Sequence, residues 1–383
     1  MESQPLLSSR DTHSIVIADL HGVKNILVGS YLNVLLLFIP FALASESLHW
    51  SDSVIFTLNF IAIIPLAKLL GTATEELALR SGSVVGALLN ATFGNAIELI
   101  LGIIALRAGL IRVVQASIIG SILSNLLLVL GCCFLAGGLS RYEQSFNVTA
   151  AQTSSSLLAL TTLSIIIPAA FVKGFPQNDV NHALLDLSHG VAIILLIVYA
   201  LSLLFQLRTH SDLYEDVDDH EEEPTISLAA AVVMLIVVTL LVAWHAEYLV
   251  GSIEGIVTQW HLSETFVGVI LLPIVGNAAE HVSSVTFAMK NKMELCVGIA
   301  IGSSTQVGLF LTPFLVITGW MIGQPMTLYF ETFETALLFA SVLIVNYLIQ
   351  DGKSNWLEGT MLLSVYAMIA VAFYNAPIPG DGF

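Results

Sequence analysis

The chain has 383 residues, 56% hydrophobic and 11% charged, with a net charge of −17 and a mean hydropathy of +0.88. A charged fraction so far below the roughly 25% of soluble domains excludes a soluble globular protein. The acidic balance argues against nucleic acid or an anionic lipid surface as a partner.

Residues 1–30 form a polar N-terminal segment that lacks the basic, short apolar and small-residue progression of a cleaved leader, so the first span is expected to insert uncleaved. Within it, Glu2, Leu6 and Leu7 have the spacing of an acidic-dileucine sorting signal, a pattern short enough to arise by chance. A first transmembrane helix is expected at 31–45, within a segment 31–50. A group of five spans follows over 51–207, at 53–74, 83–106, 113–136, 149–171 and 187–207. Residues 208–225 make an acidic linker carrying Asp212, Glu215, Asp216, Asp218, Asp219, Glu221, Glu222 and Glu223. A second group of five occupies 226–375, with spans at 226–250, 264–288, 294–320, 328–349 and 356–374, and 376–383 is a short tail. Each apolar run approaches the roughly 20 residues that cross about 30 Å of hydrocarbon as a helix. The expected fold class is therefore an all-α polytopic membrane protein of about eleven transmembrane helices. Cys132, Cys133 and Cys296 fall inside these spans without metal-ligand spacing and read as small core residues.

The two groups of five are related by an offset of 182 residues. Without a gap it aligns Gly94-Asn95-Ala96-Ile97-Glu98 with Gly276-Asn277-Ala278-Ala279-Glu280, Gly120-Ser121 with Gly302-Ser303, and Gln152-Thr153 with Glu334-Thr335. Internal duplication explains the register. Five spans are an odd number and the linker is too short for another crossing, so the copies must insert upside-down relative to each other, as one N-terminal helix plus two inverted five-helix repeats. With the N-terminus in the cytosol, nine Lys and Arg residues fall on the cytosolic side and three, Arg107, Arg112 and Lys173, on the other.

Asn95 and Glu98 are three residues apart and share a helix face, as do Asn277 and Glu280. One span later come Ser121, Ser124 and Asn125 in one copy, and Ser303, Ser304 and Gln306 in the other. Two-fold symmetry would bring these faces together at the midplane as a site of hard oxygen ligands, suited to Ca²⁺ rather than to zinc or copper. An ionised acid at the bilayer centre costs about 2.5–3.5 kcal/mol on insertion scales, and a divalent cation neutralises two at once. Protons and Ca²⁺ then compete for the same oxygens, which is the minimum requirement for antiport. Gly86, Gly94, Pro273 and Gly276 mark places where the helices are expected to unwind.

Other polar residues carry two readings. The Gly-Ser pairs also suit plain helix contacts. His281, opposite Leu99 in the other copy, is either a proton-coupling group or a structural hydrogen-bonding residue. Glu75 and Glu76 are solvated end residues or guards of the entry, and Glu334, whose counterpart is the neutral Gln152, is a secondary candidate for the site. The acidic run lacks the pattern of an EF-hand loop and is either a solvated linker or a weak Ca²⁺-responsive element.

These residues resemble the cation/proton exchangers of the CAX type, within the calcium/cation antiporter superfamily. The likeness is carried by ATEELALRSGSVVGALLNATFGNAIELI, VQASIIGSILSNLLLVLG, IVGNAAEHVSSVTFAMKNKMELCVGIAIGSSTQV and SNWLEG, and covers the chain from about residue 30. The resemblance implies eleven spans, a vacuolar membrane, and export of cytosolic Ca²⁺ driven by a luminal proton gradient. It implies Glu98 and Glu280 as the carboxylates that alternate between Ca²⁺ and H⁺, with Ser121, Ser303 and Gln306 as neighbouring ligands, and a cytosolic regulatory role for the acidic run. No cofactor is expected: Ca²⁺, with Mn²⁺ as a second candidate, and H⁺ are substrates, the bilayer is the partner, and nothing in the sequence sets an oligomeric state. The rival readings are a Na⁺/Ca²⁺-type exchanger, a cation channel and, last, a membrane enzyme, for which no nucleophile and base are paired.

Overall fold

The structure is a computed structural model that describes residues 9–81, 83–175, 180–211 and 224–376. The acidic run from Asp212 to Glu223 and the dileucine pattern at Glu2–Leu7 lie outside the described residues.

The described chain is almost wholly helical. Helix α1 (Ser9–Val28) and, after a 3₁₀ segment at Tyr31–Phe38, α2 (Ile39–Ser47) form a pair bent by 92°. Asn33 holds the bend, its Nδ2 donating to the carbonyls of Ile26 (3.0 Å) and Leu27 (2.9 Å), which have no helical partner at the end of α1. The helix over residues 9–28 is not expected from the sequence, because its polar first turns dilute the apolar signal of Ile17, Leu20, Leu27 and Val28.

The first half continues as α3 (Asp52–Ser81), α4 (Ser83–Phe93), α5 (Ala96–Arg107), α6 (Ile111–Leu123), a π-helical turn at Ser124–Val129, α7 (Leu130–Gly138), α8 (Val148–Gly174) and α9 (Val180–Leu204). The second half runs α10 (Leu228–Gly251), α11 (Ile253–Trp260), α12 (Glu264–Phe266), a π turn at Val267–Leu271, α13 (Leu272–Gly276), α14 (Ala278–Met289) and α15 (Met293–Gln306). A π turn at Val307–Leu311, α16 (Thr312–Ile322), α17 (Thr332–Leu348) and α18 (Trp356–Tyr374) complete it. Two-residue strands β1 (Gln144–Ser145) and β2 (Lys353–Ser354) pair antiparallel across the halves.

Seven of these helices are long and apolar enough to cross a membrane, and nine if each of two bent pairs counts as one span, among the described residues. The sequence expects about eleven. Against nine, the two that fall short are 83–106, which breaks at Gly94-Asn95, and 328–349, where α17 is shorter; against seven, the two bent pairs at the expected spans 31–45 and 264–288 are missing as well. The offset of 182 also relates helix boundaries: α5 and α14 share both ends at that spacing, and α6 and α15 share their first residue and are each followed by a π turn.

Ile193, Ile194, Ile197 and Leu201 on α9, and Val233, Ile236, Val237 and Leu240 on α10, stand exposed, the apolar exterior expected of a protein solvated by lipid. Polar residues turn inward. Asn59 on α3 and His245 on α10 are fully buried and joined at 2.7 Å in the long α3–α10 contact. Close approach elsewhere uses glycine: a Cβ on Gly359 of α18 would lie 2.3 Å from the backbone nitrogen of Leu135 on α7. Residues 224–227 are clamped at the end of α3, where the Glu76 carboxylate accepts the Thr225 N–H (2.9 Å), the Thr225 hydroxyl and the Ile226 N–H (3.3 Å). Arg80 donates to the Ile226 carbonyl, and Asp19 of α1 accepts the Ser227 N–H at 2.7 Å. Glu76 therefore anchors the linker's end and does not stand free at an entry.

Candidate cation site

The two Gly-Asn dipeptides are the breaks that make the site. Asn95 (φ −109°, ψ 27°) and Asn277 (φ −89°, ψ 3°) leave helical geometry, so α5 and α14 start in the protein's interior, each with its glutamate in the first turn. A helix N-terminus carries unpaired N–H groups and a partial positive charge, which favour a carboxylate there. Of the four expected break residues, Gly94 and Gly276 do break helices. Gly86 does not: it lies within α4, where a Cβ would sit 2.7 Å from the Ala78 carbonyl of α3. Pro273 lies inside a continuous helical run over 264–276, where its missing N–H follows directly on the π turn Val267–Leu271; the backbone there is disturbed but stays helical.

The amides and hydroxyls largely satisfy one another across the halves. Asn95 Nδ2 donates to Gln306 Oε1 (2.8 Å), Ser303 Oγ donates to Asn95 Oδ1 (3.2 Å), and Asn125 Nδ2 donates to Ser303 Oγ (3.0 Å). On the other side Ser121 Oγ lies 3.4 Å from Asn277 Oδ1. His281 Nδ1 is 2.7 Å from the Asn277 carbonyl, and its Nε2 is 3.4 Å from Ser124 Oγ. Three acceptors are left over: Glu98 Oε2, Glu280 Oε2 and Asn125 Oδ1 are all buried and without a donor. The Glu280 carboxyl has Glu98, Ser303 and Asn125 as its electrostatic and hydrogen-bonding neighbours. Gly276 seats the first carboxylate, since a Cβ there would lie 2.6 Å from Glu98 Oε1. Buried oxygens left without a donor are costly unless a cation, a proton or water joins them. Among the described residues no group of three or more His, Cys, Asp or Glu side chains could hold a metal ion, so a cation here takes its remaining ligands from neutral oxygens.

Two cavities lead inward. One, of about 330 Å³, runs beside α3 past Lys68 and Glu75 to Gly94, Gly276 and Glu280. The other, of about 310 Å³, lies between α8 and α15, with Asn147 and Glu294 on its wall, and ends at Gln306. They open among the C-terminal half of α3, the N-terminus of α8 and the N-terminus of α15. At the opposite end of the site α6 packs on α13, and a Cβ on Gly120 would lie 2.3 Å from the Val269 carbonyl. Arg112, at the start of α6, pairs with Glu334 (2.7 Å) and Glu331 (3.2 Å), and Gln115 Nε2 donates to the carbonyls of Thr327 and Tyr329.

The structure thus brings together Glu98, Glu280, Asn95, Asn277, Ser121, Ser303 and Gln306, with Ser124, Asn125 and His281 beside them, and places Glu75 on the cavity wall. It does not bring Glu334 to the pair: that carboxylate is bound to Arg112 and closes the capping box of α17 with Glu331. The part played by Arg112 and Gln115 is absent from the sequence reading. Its signal was a lone cation and amide opening an apolar span.

The sodium/calcium exchanger protein family model matches residues 51–208 and 230–375. The chain is 50% identical over 385 residues to a vacuolar calcium ion transporter of Schizosaccharomyces pombe, covering 98% of this chain and 93% of that one. It is 48% identical to a Ca(2+)/H(+) antiporter of Aphanothece halophytica, covering 90% of this chain and 96% of the other. The fold matches native YfkE with a TM-score of 0.79 at 36% identity, covering 91% of this chain and all of that one. An H+/Ca2+ exchanger CAX shares the fold at a TM-score of 0.68 and 14% identity, with 90% and 91% covered. By family match and by identity along nearly its whole length, the chain belongs to the sodium/calcium exchanger protein family.

Proposed function

We propose that the protein is a secondary antiporter that moves Ca²⁺ out of the cytosol in exchange for H⁺, with Glu98 and Glu280 as the groups that carry either ion in turn. One observation carries this reading: two carboxylates at interior helix starts, each with a buried oxygen that has no donor, amid amides that have already paired with one another. Such oxygens accept a divalent cation or protons, and each occupant excludes the other. The relatives named as Ca²⁺/H⁺ antiporters and vacuolar cation/proton exchangers support H⁺ over Na⁺ as the exchanged ion, although the family's name also admits Na⁺.

The finer architecture belongs to the same reading. One N-terminal helix and two inverted five-helix repeats set two copies of the half-site against each other, and rocking of one helix group against the other exposes the pair to each side in turn. The N-terminus is cytosolic and the membrane vacuolar, in keeping with the vacuolar relatives and the bias of basic residues. Both cavities then open to the cytosol, and Arg112 lies on the luminal side. Glu75 draws cations into the α3-side cavity, and the acidic run 212–223 adds to the negative field there.

The test is purified protein in proteoliposomes with imposed pH or Na⁺ gradients and a panel of divalent ions, Mn²⁺ included. Uptake of ⁴⁵Ca²⁺ follows the pH gradient and disappears in both Glu98→Gln and Glu280→Gln. Uptake that follows Na⁺ with pH clamped, or coupled uptake that survives in either variant, overturns the reading.

A further inference from the structure

The two cavities arrive at the same site from the same face but meet different parts of it. The α3-side cavity contains Glu280 itself, with Gly94 and Gly276, and is lined at its mouth by Lys68 and Glu75. The α8-side cavity contains no residue of either Gly-Asn motif and reaches Gly302 and Gln306. Between them stands a wall one amide pair thick: Gln306 Oε1 accepts from Asn95 Nδ2 at 2.8 Å and lies 3.9 Å from where a Cβ on Gly94 would be. Ile299 is common to both linings. Two separate approaches to one site are more than a single-file exchange needs.

We propose that the α8-side cavity is a proton route, distinct from the α3-side route taken by Ca²⁺. Its chemistry fits a hydrated proton better than a metal ion. Among its described lining residues Glu294 is the single ionisable side chain, and it sits at the exposed mouth, while the inner wall offers amides, a serine and glycine backbone. A Ca²⁺ ion needs six to eight oxygens, anionic ones among them, whereas a proton needs only water and a polar wall. Glycine keeps the inner part wide, since a Cβ on Gly298 or Gly302 would meet nothing within 4 Å. Ser303 follows Gly302 in α15, just behind the wall, and neighbours the Glu280 carboxyl, so the inner end of this cavity comes within one residue of that carboxyl's own surroundings.

When Ca²⁺ reaches the pair from the α3 side, the proton leaving Glu280 departs past Ser303 and Gln306, and like charges need not pass each other in one narrow channel. Glu294 holds the cation field at that exit. The charged groups on the elements bordering that mouth are Lys290 and Lys292 in the α14–α15 turn, Arg141, which donates to the Met289 carbonyl of α14, and Arg208 on the turn that carries Gln206 of the lining. The facing turn of α8 contributes none.

The proposal rests on the antiport reading above, and the test keeps the two apart by comparing two modes of the same proteoliposomes. Exchange of ⁴⁵Ca²⁺ against Ca²⁺ needs the Ca²⁺ route and alternation alone, whereas pH-gradient-driven uptake needs the proton route as well. Ala150→Trp, which fills the α8-side mouth from a helix that carries none of the ion-binding carboxylates, is expected to slow the coupled mode roughly tenfold and to leave Ca²⁺/Ca²⁺ exchange within about twofold. Glu294→Gln should change the dependence of coupled uptake on cytosolic pH with the half-saturating Ca²⁺ of the exchange mode unchanged, and Glu294→Asp should restore the wild-type profile. If these variants lower both modes together, or change neither, the separate route is wrong. Failure of the antiport reading looks different: Glu98→Gln and Glu280→Gln would then retain coupled uptake.

Discussion

Gly120-Ser121 and Gly302-Ser303 are the same dipeptide in the two copies, and the structure treats them in opposite ways. A Cβ on Gly120 would strike the Val269 carbonyl at 2.3 Å and the Pro273 ring at 2.6 Å, whereas one on Gly302 would meet nothing within 4 Å. The contrast extends outward. Beyond Gly120, Arg112 is tied to Glu334, while at the same offset beyond Gly302 there is Glu294 at a cavity mouth and a neutral, exposed Gln152. The dipeptide is repeated in the sequence and its packing is not. One half shows a packed contact whose open counterpart lies in the other, which is the relation the proposed alternating access between inverted repeats would require.

The largest effects come from removing what the two halves share. Glu98→Gln or Glu280→Gln deletes one of two anionic ligands, a loss of about 3 kcal/mol or roughly a hundredfold in Ca²⁺ affinity. Isothermal titration on detergent-solubilised protein measures it. A drop confined to one variant would mean that the pair is not a shared site. Next, Arg112→Gln leaves Glu334, which is 1% exposed, buried and unpaired, and is expected to destabilise the protein by on the order of 3 kcal/mol in a thermal unfolding assay. The double variant Arg112→Leu with Glu334→Leu should recover most of that loss. Failure to recover would show that the capping of α17 by Glu334 matters more than the ion pair.

Gly302→Leu probes the open half directly. A Cβ there meets nothing within 4 Å and the rest of the side chain has the α8-side cavity to enter, so the variant should fold and still bind Ca²⁺ from the α3 side. It cannot fit a state in which Gly302 packs as Gly120 does here, so turnover should fall roughly thirtyfold in both exchange modes. Normal turnover would mean that this contact never closes, and that the two halves do not exchange conformations.

Much of this was legible in the sequence, for physical reasons that differ by residue. The offset of 182 and the two glutamates were readable because a charge in a run fit for lipid has no bland explanation when it recurs in register. The break at Asn95 and Asn277 was readable from the preceding glycine, yet the same logic misplaced breaks at Gly86 and Pro273. A glycine also serves close packing, and a helix can absorb a proline's missing N–H in a π turn, as at Val267–Leu271, without unwinding. Glu334 was a reasonable candidate by composition, and only its distant partner Arg112, 222 residues away in the chain, shows what it does. The cavities and the unequal packing of the copies were out of reach, since a sequence with two-fold symmetry contains both conformations and does not say which half holds which.

The sharpest difference left between the copies is Leu99 against His281. Two roles were open for the histidine, and its contacts supply the structural one. The Asn277 carbonyl at 2.7 Å can only accept, so Nδ1 carries a hydrogen, and Nε2 at 3.4 Å from Ser124 Oγ is then free to accept from that hydroxyl. A neutral ring satisfies both neighbours and fixes the carbonyl of the residue on which the second half-site turns. His281→Leu, which copies the first half into the second, should therefore weaken Ca²⁺ transport by about tenfold through lost positioning, with the shape of its pH profile retained. His281→Gln, which can still donate to the Asn277 carbonyl, should recover part of the loss. A titration step missing from the profile of both variants would instead assign the histidine to proton coupling, and the asymmetry between the copies would then be chemical as well as conformational.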